Sequence, residues 1–153
     1  MHKFFNSPAN VLAIKLSGTI TGDDLEAIMD RVEDILAHHS KIHVFVETRE
    51  IDGLQLSALP QHLSRSLPMF GQLHRFGRVA VVADQAWMRL ATRIESAMLP
   101  YVSYRVFDVD EREEALAFIE AAERGSIASA RRHAQSSSTP KRGAGSQERP
   151  STQ

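Results

Sequence analysis

The chain alternates between short apolar segments and segments in which apolar residues recur every three or four positions. Four short segments are rich in branched residues and end at polar or glycine-containing turns, which is typical of buried strands. They cover residues 11–17, 42–47, 78–83 and 103–107. A further stretch near the start, Lys3-Phe4-Phe5, is expected to add an antiparallel strand at one edge of the sheet.

Each predicted strand is followed by a segment with helical periodicity. The first predicted helix spans residues 23–38 and has two acids at its start, where the helix dipole favours them. The second predicted helix spans residues 57–73. It begins at Ser57 and is interrupted by Pro68, so it is the least regular of the four.

The third and fourth predicted helices follow the last two strands. The third begins after Asp84 and ends before Pro100, and the fourth follows Asp110 and Glu113, which stand in capping-box positions. Strands and helices therefore alternate strictly. Because a crossover helix returns the chain to the same edge of a sheet, this order predicts an α/β fold with a mainly parallel sheet of four to five strands.

The chain divides into a body and a tail. Its 153 residues are enough for one domain with its own hydrophobic core, and the apolar pattern indicates that this domain covers residues 1–123. Residues 124–153 are rich in Ser, Gly and Pro and are predicted to be disordered. This tail carries six Lys and Arg residues and one acid, whereas the body is acidic. We therefore do not expect the body to bind nucleic acid, and we expect the tail to make any contact with a polyanion.

The composition excludes several classes of protein and site. Without cysteine there are no disulfides and no thiolate metal sites, and no apolar run approaches the ~20 residues needed to span a bilayer. We expect a cytoplasmic protein, with peripheral association with a membrane left open. His38, His39 and His43 do not have metal-ligand spacing, and no glycine-rich phosphate-binding motif is present. Neither a catalytic centre nor a metal or cofactor is expected, so the protein is predicted not to be an enzyme.

The second predicted helix carries the candidate binding surface. Between Leu59 and Phe76 the chain mixes apolar and basic side chains and contains no acid, which suits contact with an apolar ligand or an anionic membrane. Candidates for lining an apolar or lipid-like ligand are Leu63, Leu67, Met69, Phe70, Leu73 and, from the third helix, Trp87. Candidates for contact with a membrane or a protein partner are Arg65, His74 and Arg75. The alternative is an ordinary crossover helix packed on the sheet, with Trp87 in the core.

Three stretches of the chain carry a resemblance to a known family. They are residues 10–21 with the helix that follows, residues 78–87, and residues 104–108 leading into residues 114–117. In their order and spacing they resemble the SpoIIAA-like family, a branch of the STAS fold. The resemblance implies a βα superhelical topology, no established enzymatic activity, and roles in protein interaction, apolar-ligand binding or membrane association.

The resemblance also points to a candidate regulatory loop. Anti-sigma-factor antagonists of the wider fold are switched by phosphorylation in an Asp-Ser-Ser-Gly-like turn. The corresponding turn here consists of Glu50, Ile51, Asp52 and Gly53, with Ile51 at the place of the serine and Ser57 nearby. A partner-switching regulator acting through this loop is therefore the alternative function. An unidentified protein partner and a homodimer both stay open at this point.

Overall fold

The computed structural model of the protein describes residues 1–55, 71–84, Trp87 and residues 102–136. Within these residues the chain forms five strands and two α-helices. The elements are β1 (His2–Phe4), β2 (Val11–Ile20), α1 (Gly22–His38), β3 (Ile42–Leu54), β4 (Phe76–Val82), β5 (Ser103–Phe107) and α2 (Arg112–Ser136). Short 3₁₀ helices at Leu73–Arg75 and Val109–Glu111 precede β4 and α2.

The five strands form one sheet in the order β1-β2-β3-β4-β5. β1 pairs antiparallel with β2, and the pairs β2–β3, β3–β4 and β4–β5 are all parallel. Both the mainly parallel α/β sheet and the antiparallel edge strand near the start of the chain are therefore confirmed. Each parallel strand lies beside the strand that precedes it in the chain.

Both faces of the sheet are covered, because successive side chains of a strand point to opposite faces. Ile42 and Val44 of β3 belong to a core cluster that includes residues of α1. Phe45, the residue after Val44, belongs to a second cluster that includes Ala115 and Ile119 of α2. The helix that follows the last strand therefore packs on the face opposite to α1.

A capping box starts α1. The Thr21 hydroxyl accepts a hydrogen bond from the Asp24 amide (3.3 Å), and the Asp24 carboxylate accepts one from the Thr21 amide (3.0 Å). His2 of β1 also contacts this carboxylate, 2.6 Å from its Nδ1. Burial raises the pKa of Asp24, but the hydrogen bonds from Thr21 and His2 outweigh it and hold this pKa well below its ordinary value. The predicted first helix is confirmed.

β3 is longer than the sequence predicts. We expected a turn at Glu50 to Gly53, but the strand continues through these residues to Leu54. Ser17 pairs with Arg49 and Thr19 with Gly53, so Gly18 alone faces three residues of β3. Gly18 and Glu50 both have left-handed backbone conformations, with φ of 66° and 46°. The expected turn is thus a bulge in the pairing of β2 with β3. Gly18 allows it, because glycine adopts a left-handed conformation without steric cost.

The fourth predicted helix begins and ends elsewhere than expected. Its capping box is formed by Asp108 and Glu111, not by Asp110 and Glu113. The helix continues to Ser136, where the sequence led us to expect a disordered tail from residue 124. Alanine and arginine, which favour helix strongly, recur in residues 124–136, so local propensity sustains the helix after packing ends. Residues 137–153 lie outside the described residues, and their disorder stays a prediction.

Most of the second and third predicted helices lie outside the described residues. At the end of the second, Leu73–Arg75 forms the 3₁₀ helix that leads into β4. At the start of the third, the Asp84 carboxylate accepts a hydrogen bond from the Trp87 amide at 3.2 Å, which is the contact expected of an N-cap residue.

Candidate functional site

The predicted binding surface on the second helix is described only in part. Leu63, Leu67, Met69 and Phe70, together with Arg65, lie outside the described residues, as does Ser57 of the predicted regulatory loop. Leu73 is half-buried and packs against the core cluster that includes α1. Trp87 is half-buried as well. The role of this helix in binding therefore stays a prediction.

Arg75, predicted to contact a membrane or a partner, is engaged in the structure of the domain itself. Its guanidinium donates hydrogen bonds to the backbone carbonyls of Leu36, His39 and Ser40, at and beyond the end of α1. These carbonyls have no partner within the helix. Arg75 therefore ties the start of β4 to α1, while the neighbouring His74 is exposed.

The predicted regulatory residues lie at the bulge of β3. Glu50 and Asp52 are exposed there, and Gly53 is half-buried and paired with Thr19 of β2. The bulge brings the two carboxylates to the edge of the sheet where the parallel strands end. A regulatory role for these residues stays a prediction.

A groove that the sequence analysis missed runs between α2 and the segment joining β1 to β2. It has a volume of about 640 Å³. We call it the α2 groove and define it by its apolar residues Phe5, Val11, Ala13, Phe45, Leu116 and Ile119, with Arg112, Glu120, Glu123 and Arg124 at its margin. The sequence places Phe5 and Leu116 more than a hundred positions apart, so only the closure of the sheet brings them together.

The wall of the α2 groove is held in place by the backbone. The Phe5 amide donates to the Ala13 carbonyl at 2.9 Å, continuing the pairing of β1 with β2. Between these strands the Ser7 hydroxyl donates to the Val11 carbonyl at 2.7 Å, and the Val11 amide donates to the Pro8 carbonyl at 3.0 Å. The segment opposite α2 is therefore an ordered turn that fixes the width of the groove.

A buried carboxylate binds Arg112, which lies at the margin of the α2 groove. Glu47 on β3 accepts hydrogen bonds from Arg112 of α2 (2.9 Å) and from Arg49 (3.1 Å). Burial raises the pKa of Glu47, but the hydrogen bonds from Arg112 and Arg49 outweigh it and bring this pKa below its ordinary value. The Arg112 guanidinium also lies over the rings of Phe45 and Phe5, at 5.7 and 5.9 Å. The ion pair thereby joins the strand, the helix and the aromatic floor.

A second groove, of about 760 Å³, lies where β3 and β4 begin. We call it the basic groove and define it by five side chains that are cationic or can become so: Lys41, His43, His74, Arg75 and His133. No acidic side chain is among the described residues that line it. The sequence pattern around His43 does not reveal this arrangement, because His133 reaches it from the distant end of α2.

The described part of the chain contains neither a cluster of metal ligands nor a membrane-spanning helix. No group of three or more His, Asp or Glu residues in it could hold a metal ion. Neither α1 nor α2 has the length and apolar character required to cross a membrane.

Comparison with known proteins agrees with this geometry. A family model described as SpoIIAA-like matches residues 11–120. Among solved structures, the chain is similar to an uncharacterised protein with a SpoIIAA-like fold from Shewanella loihica, at 26% sequence identity and a TM-score of 0.55. The match covers 78% of this chain and 92% of that chain. None of the curated proteins compared with the chain matches it.

The resemblance seen in the sequence is thus confirmed by a match over more than half of the chain and by the fold. Domains of this fold are in general binding or regulatory modules, and they are generally non-catalytic. The chain belongs to the SpoIIAA-like family.

Proposed function

We propose that this protein is a non-enzymatic binding module that takes an apolar or lipid-like molecule into the α2 groove. The observation that carries the proposal is the groove itself, which is floored by apolar side chains and open to solvent. Its volume of about 640 Å³ lies within the range of roughly 300–1,000 Å³ usual for small-molecule sites. Phe5 and Leu116 are half-buried and leave apolar surface in contact with water, which a bound apolar ligand would cover.

The margin of the groove favours an amphiphilic ligand. Phe45 and Ile119 are buried at the floor, whereas Glu120 and Arg124 are exposed at the margin. An apolar chain would lie on the floor while a polar end stays among the marginal charges and water. Arg112 is already paired with Glu47, so the polar end need not neutralise a buried charge.

The chemistry of Glu47 supports binding over catalysis. A carboxyl group serves as a general acid or base near neutral pH when its pKa is raised toward that range. The pKa of Glu47 is displaced in the opposite direction by Arg112 and Arg49. This carboxylate therefore stabilises the fold and is poorly suited to proton transfer.

The surface predicted on the second helix extends this proposal. Its apolar and basic residues would add contact with a membrane or a protein partner. This extension is supported by the sequence pattern between Leu59 and Phe76.

A second candidate function is a partner-switching regulator. It is favoured by the exposed carboxylates of Glu50 and Asp52 at an irregular bulge, where a partner could contact both.

The test is binding of a fluorescent apolar probe. Anilinonaphthalene sulfonate is titrated into the protein, and dodecanoate is then added as a competitor. Leu116→Gln places an amide in the groove, and Ala117→Gln introduces the same side chain at the next, exposed position of α2. We expect Leu116→Gln to weaken probe binding by about tenfold, which corresponds to the ~1.4 kcal/mol lost with an apolar contact of this size.

The control variant Ala117→Gln is expected to bind the probe as the wild type does. Thermal melts of both variants establish that they are folded before binding is compared. Failure of dodecanoate to displace the probe, or equal loss of binding in the two variants, would show that the α2 groove is not the binding site.

A further inference from the structure

The basic groove lies under an overhang of α2. The Arg78 guanidinium, near the start of β4, donates to the Phe118 carbonyl at 2.8 Å. This contact places Phe118 above the beginning of the strand, so the later residues of α2 extend beyond the sheet. Ile119 still belongs to the core cluster on the sheet, and the exposed end of α2 that follows carries Ser129 and His133. Its inner side faces Lys41 and His74 across the basic groove.

The buried end of the basic groove is formed by His43. This side chain is 4% exposed, and its Nδ1 accepts a hydrogen bond from the Arg78 amide at 3.0 Å. Because Nδ1 accepts, the proton of the neutral ring is on Nε2. Nε2 is buried and has no hydrogen-bond partner among the described residues. A buried donor without an acceptor is costly, and a bound ion or ligand that supplies the acceptor would remove this cost.

The open end of the basic groove is formed by exposed cations. Lys41 and His133 both line it, and their side chains make no hydrogen bond or ion pair with another described residue. Arg75 adds a fixed positive charge, since its position is set by the carbonyls at the end of α1. The hydroxyls of Ser40 and Ser129 also line the groove and can donate hydrogen bonds.

We propose that the basic groove binds the phosphate group of a small molecule. A phosphate monoester carries up to two negative charges and three acceptor oxygens, which match the cations, the hydroxyls and the unpartnered Nε2 donor of His43. The volume of about 760 Å³ suits a small phosphorylated compound or a single lipid headgroup. The site is separate from the α2 groove, which lies on another side of the same helix.

The absence of acids around the groove distinguishes it from an ordinary charged surface. Surface cations are usually interspersed with acids, and the body of this chain is acidic as a whole. Lys41 and Arg75 carry fixed positive charges without a described acid among the lining residues, and their repulsion raises the free energy of the unliganded protein. A bound anion relieves this repulsion.

The first experiment uses inorganic phosphate as the probe, at constant ionic strength. Histidine ring signals of the labelled protein are followed by NMR, and the dissociation constant is measured by calorimetry. The groove variant is Lys41→Glu combined with His133→Glu. The control variant is Arg131→Glu combined with Arg132→Glu. It changes the net charge at least as much as the groove variant does, and both positions are exposed on α2 near His133 but do not line the groove.

The second experiment uses vesicles and distinguishes the source of the phosphate group. Co-sedimentation is compared between phosphatidylcholine vesicles with and without phosphatidic acid, which presents a phosphate monoester as its headgroup. The same two variants are tested. Binding of free phosphate indicates a soluble ligand, and binding of the vesicles alone indicates a lipid headgroup.

Two results support the proposal. One is a phosphate-induced shift of the His43 ring signal, with affinity weakened about tenfold or more in the groove variant and less than about twofold in the control. The other is binding of phosphatidic acid vesicles with the same dependence on the two variants. The proposal is overturned if the wild type binds neither probe, or if the groove and control variants lose binding equally.

Discussion

Arg112 Nε donates a hydrogen bond to Glu47 Oε2 over 2.9 Å, joining the first turn of α2 to β3. The carboxylate is almost fully buried, with 5% of the side chain exposed, while Arg112 is 35% exposed. This pair sets the position of α2 on the sheet at the margin of the α2 groove. Because α2 is the one described helix on that face, the pair influences both the fold and the proposed binding site.

Replacing Arg112 is therefore expected to destabilise the protein. Arg112→Met keeps much of the packing against Phe45 and removes the charge, which leaves Glu47 buried with Arg49 as its remaining partner. We expect a loss of about 3 kcal/mol in the free energy of unfolding, measured by urea denaturation. Adding Glu47→Leu should recover much of this loss, since the uncompensated charge is then gone. If Arg112→Met alone is neutral, the pair does not hold α2.

His43 makes the stability depend on pH in the weakly acidic range. Burial lowers the pKa of His43, and the charges of Arg78 and Lys41 lower it further. The unfolded chain therefore takes up a proton at about pH 6.5, whereas the folded protein does so only at lower pH. Stability should fall as the pH decreases below about 6.5, by at most ~1.4 kcal/mol per pH unit.

The matched control for this pH dependence is His43→Gln. Between about pH 6.5 and pH 5, the melting temperature of this variant should change less than that of the wild type, because the His43 imidazole is gone. The buried carboxylates Asp24 and Glu47 do not interfere in this interval. Their pKa values are lowered, so the stability that they contribute is lost only at more acidic pH. Identical pH profiles for variant and wild type would contradict the assignment.

Gly77 is required because the His43 ring lies against it. A Cβ atom placed on Gly77 would lie 2.3 Å from Cε1 of His43 and 2.6 Å from Nδ1. Gly77→Ala should therefore displace a buried ring and cost about 1–3 kcal/mol in the free energy of unfolding. The double variant Gly77→Ala with His43→Ser should be more stable than the sum of the single changes predicts. A purely additive double-mutant cycle would show that the two residues are not in contact.

Arg75 should contribute to stability, although the sequence suggested a surface role for it. Arg75→Ala removes the donors to the carbonyls of Leu36 and His39, and we expect a loss of about 2 kcal/mol measured by thermal or urea unfolding. His74→Ala, at the exposed neighbouring position, is the control and should change stability by less than about 0.5 kcal/mol. Equal stability of both variants would mean that Arg75 does not anchor α1.

The sequence alone determined the framework of this protein. Four strands, the first helix with the acids at its start and the edge strand near the start of the chain were predicted, because these depend on local periodicity and charge. The order of strands and helices then required a mainly parallel sheet. The bulge at Glu50 was missed, since a left-handed residue inside a strand leaves no pattern that alternation detects.

The tertiary structure decided which side chains meet. Phe5 and Leu116 line one groove, and Lys41 and His133 line another, although each pair is separated by about ninety positions or more. Contacts across such distances depend on the register of the sheet and on where α2 crosses it, and residue patterns within one segment carry no information about either. Hence the fold followed from the sequence, whereas both candidate sites depended on how the chain closes on itself.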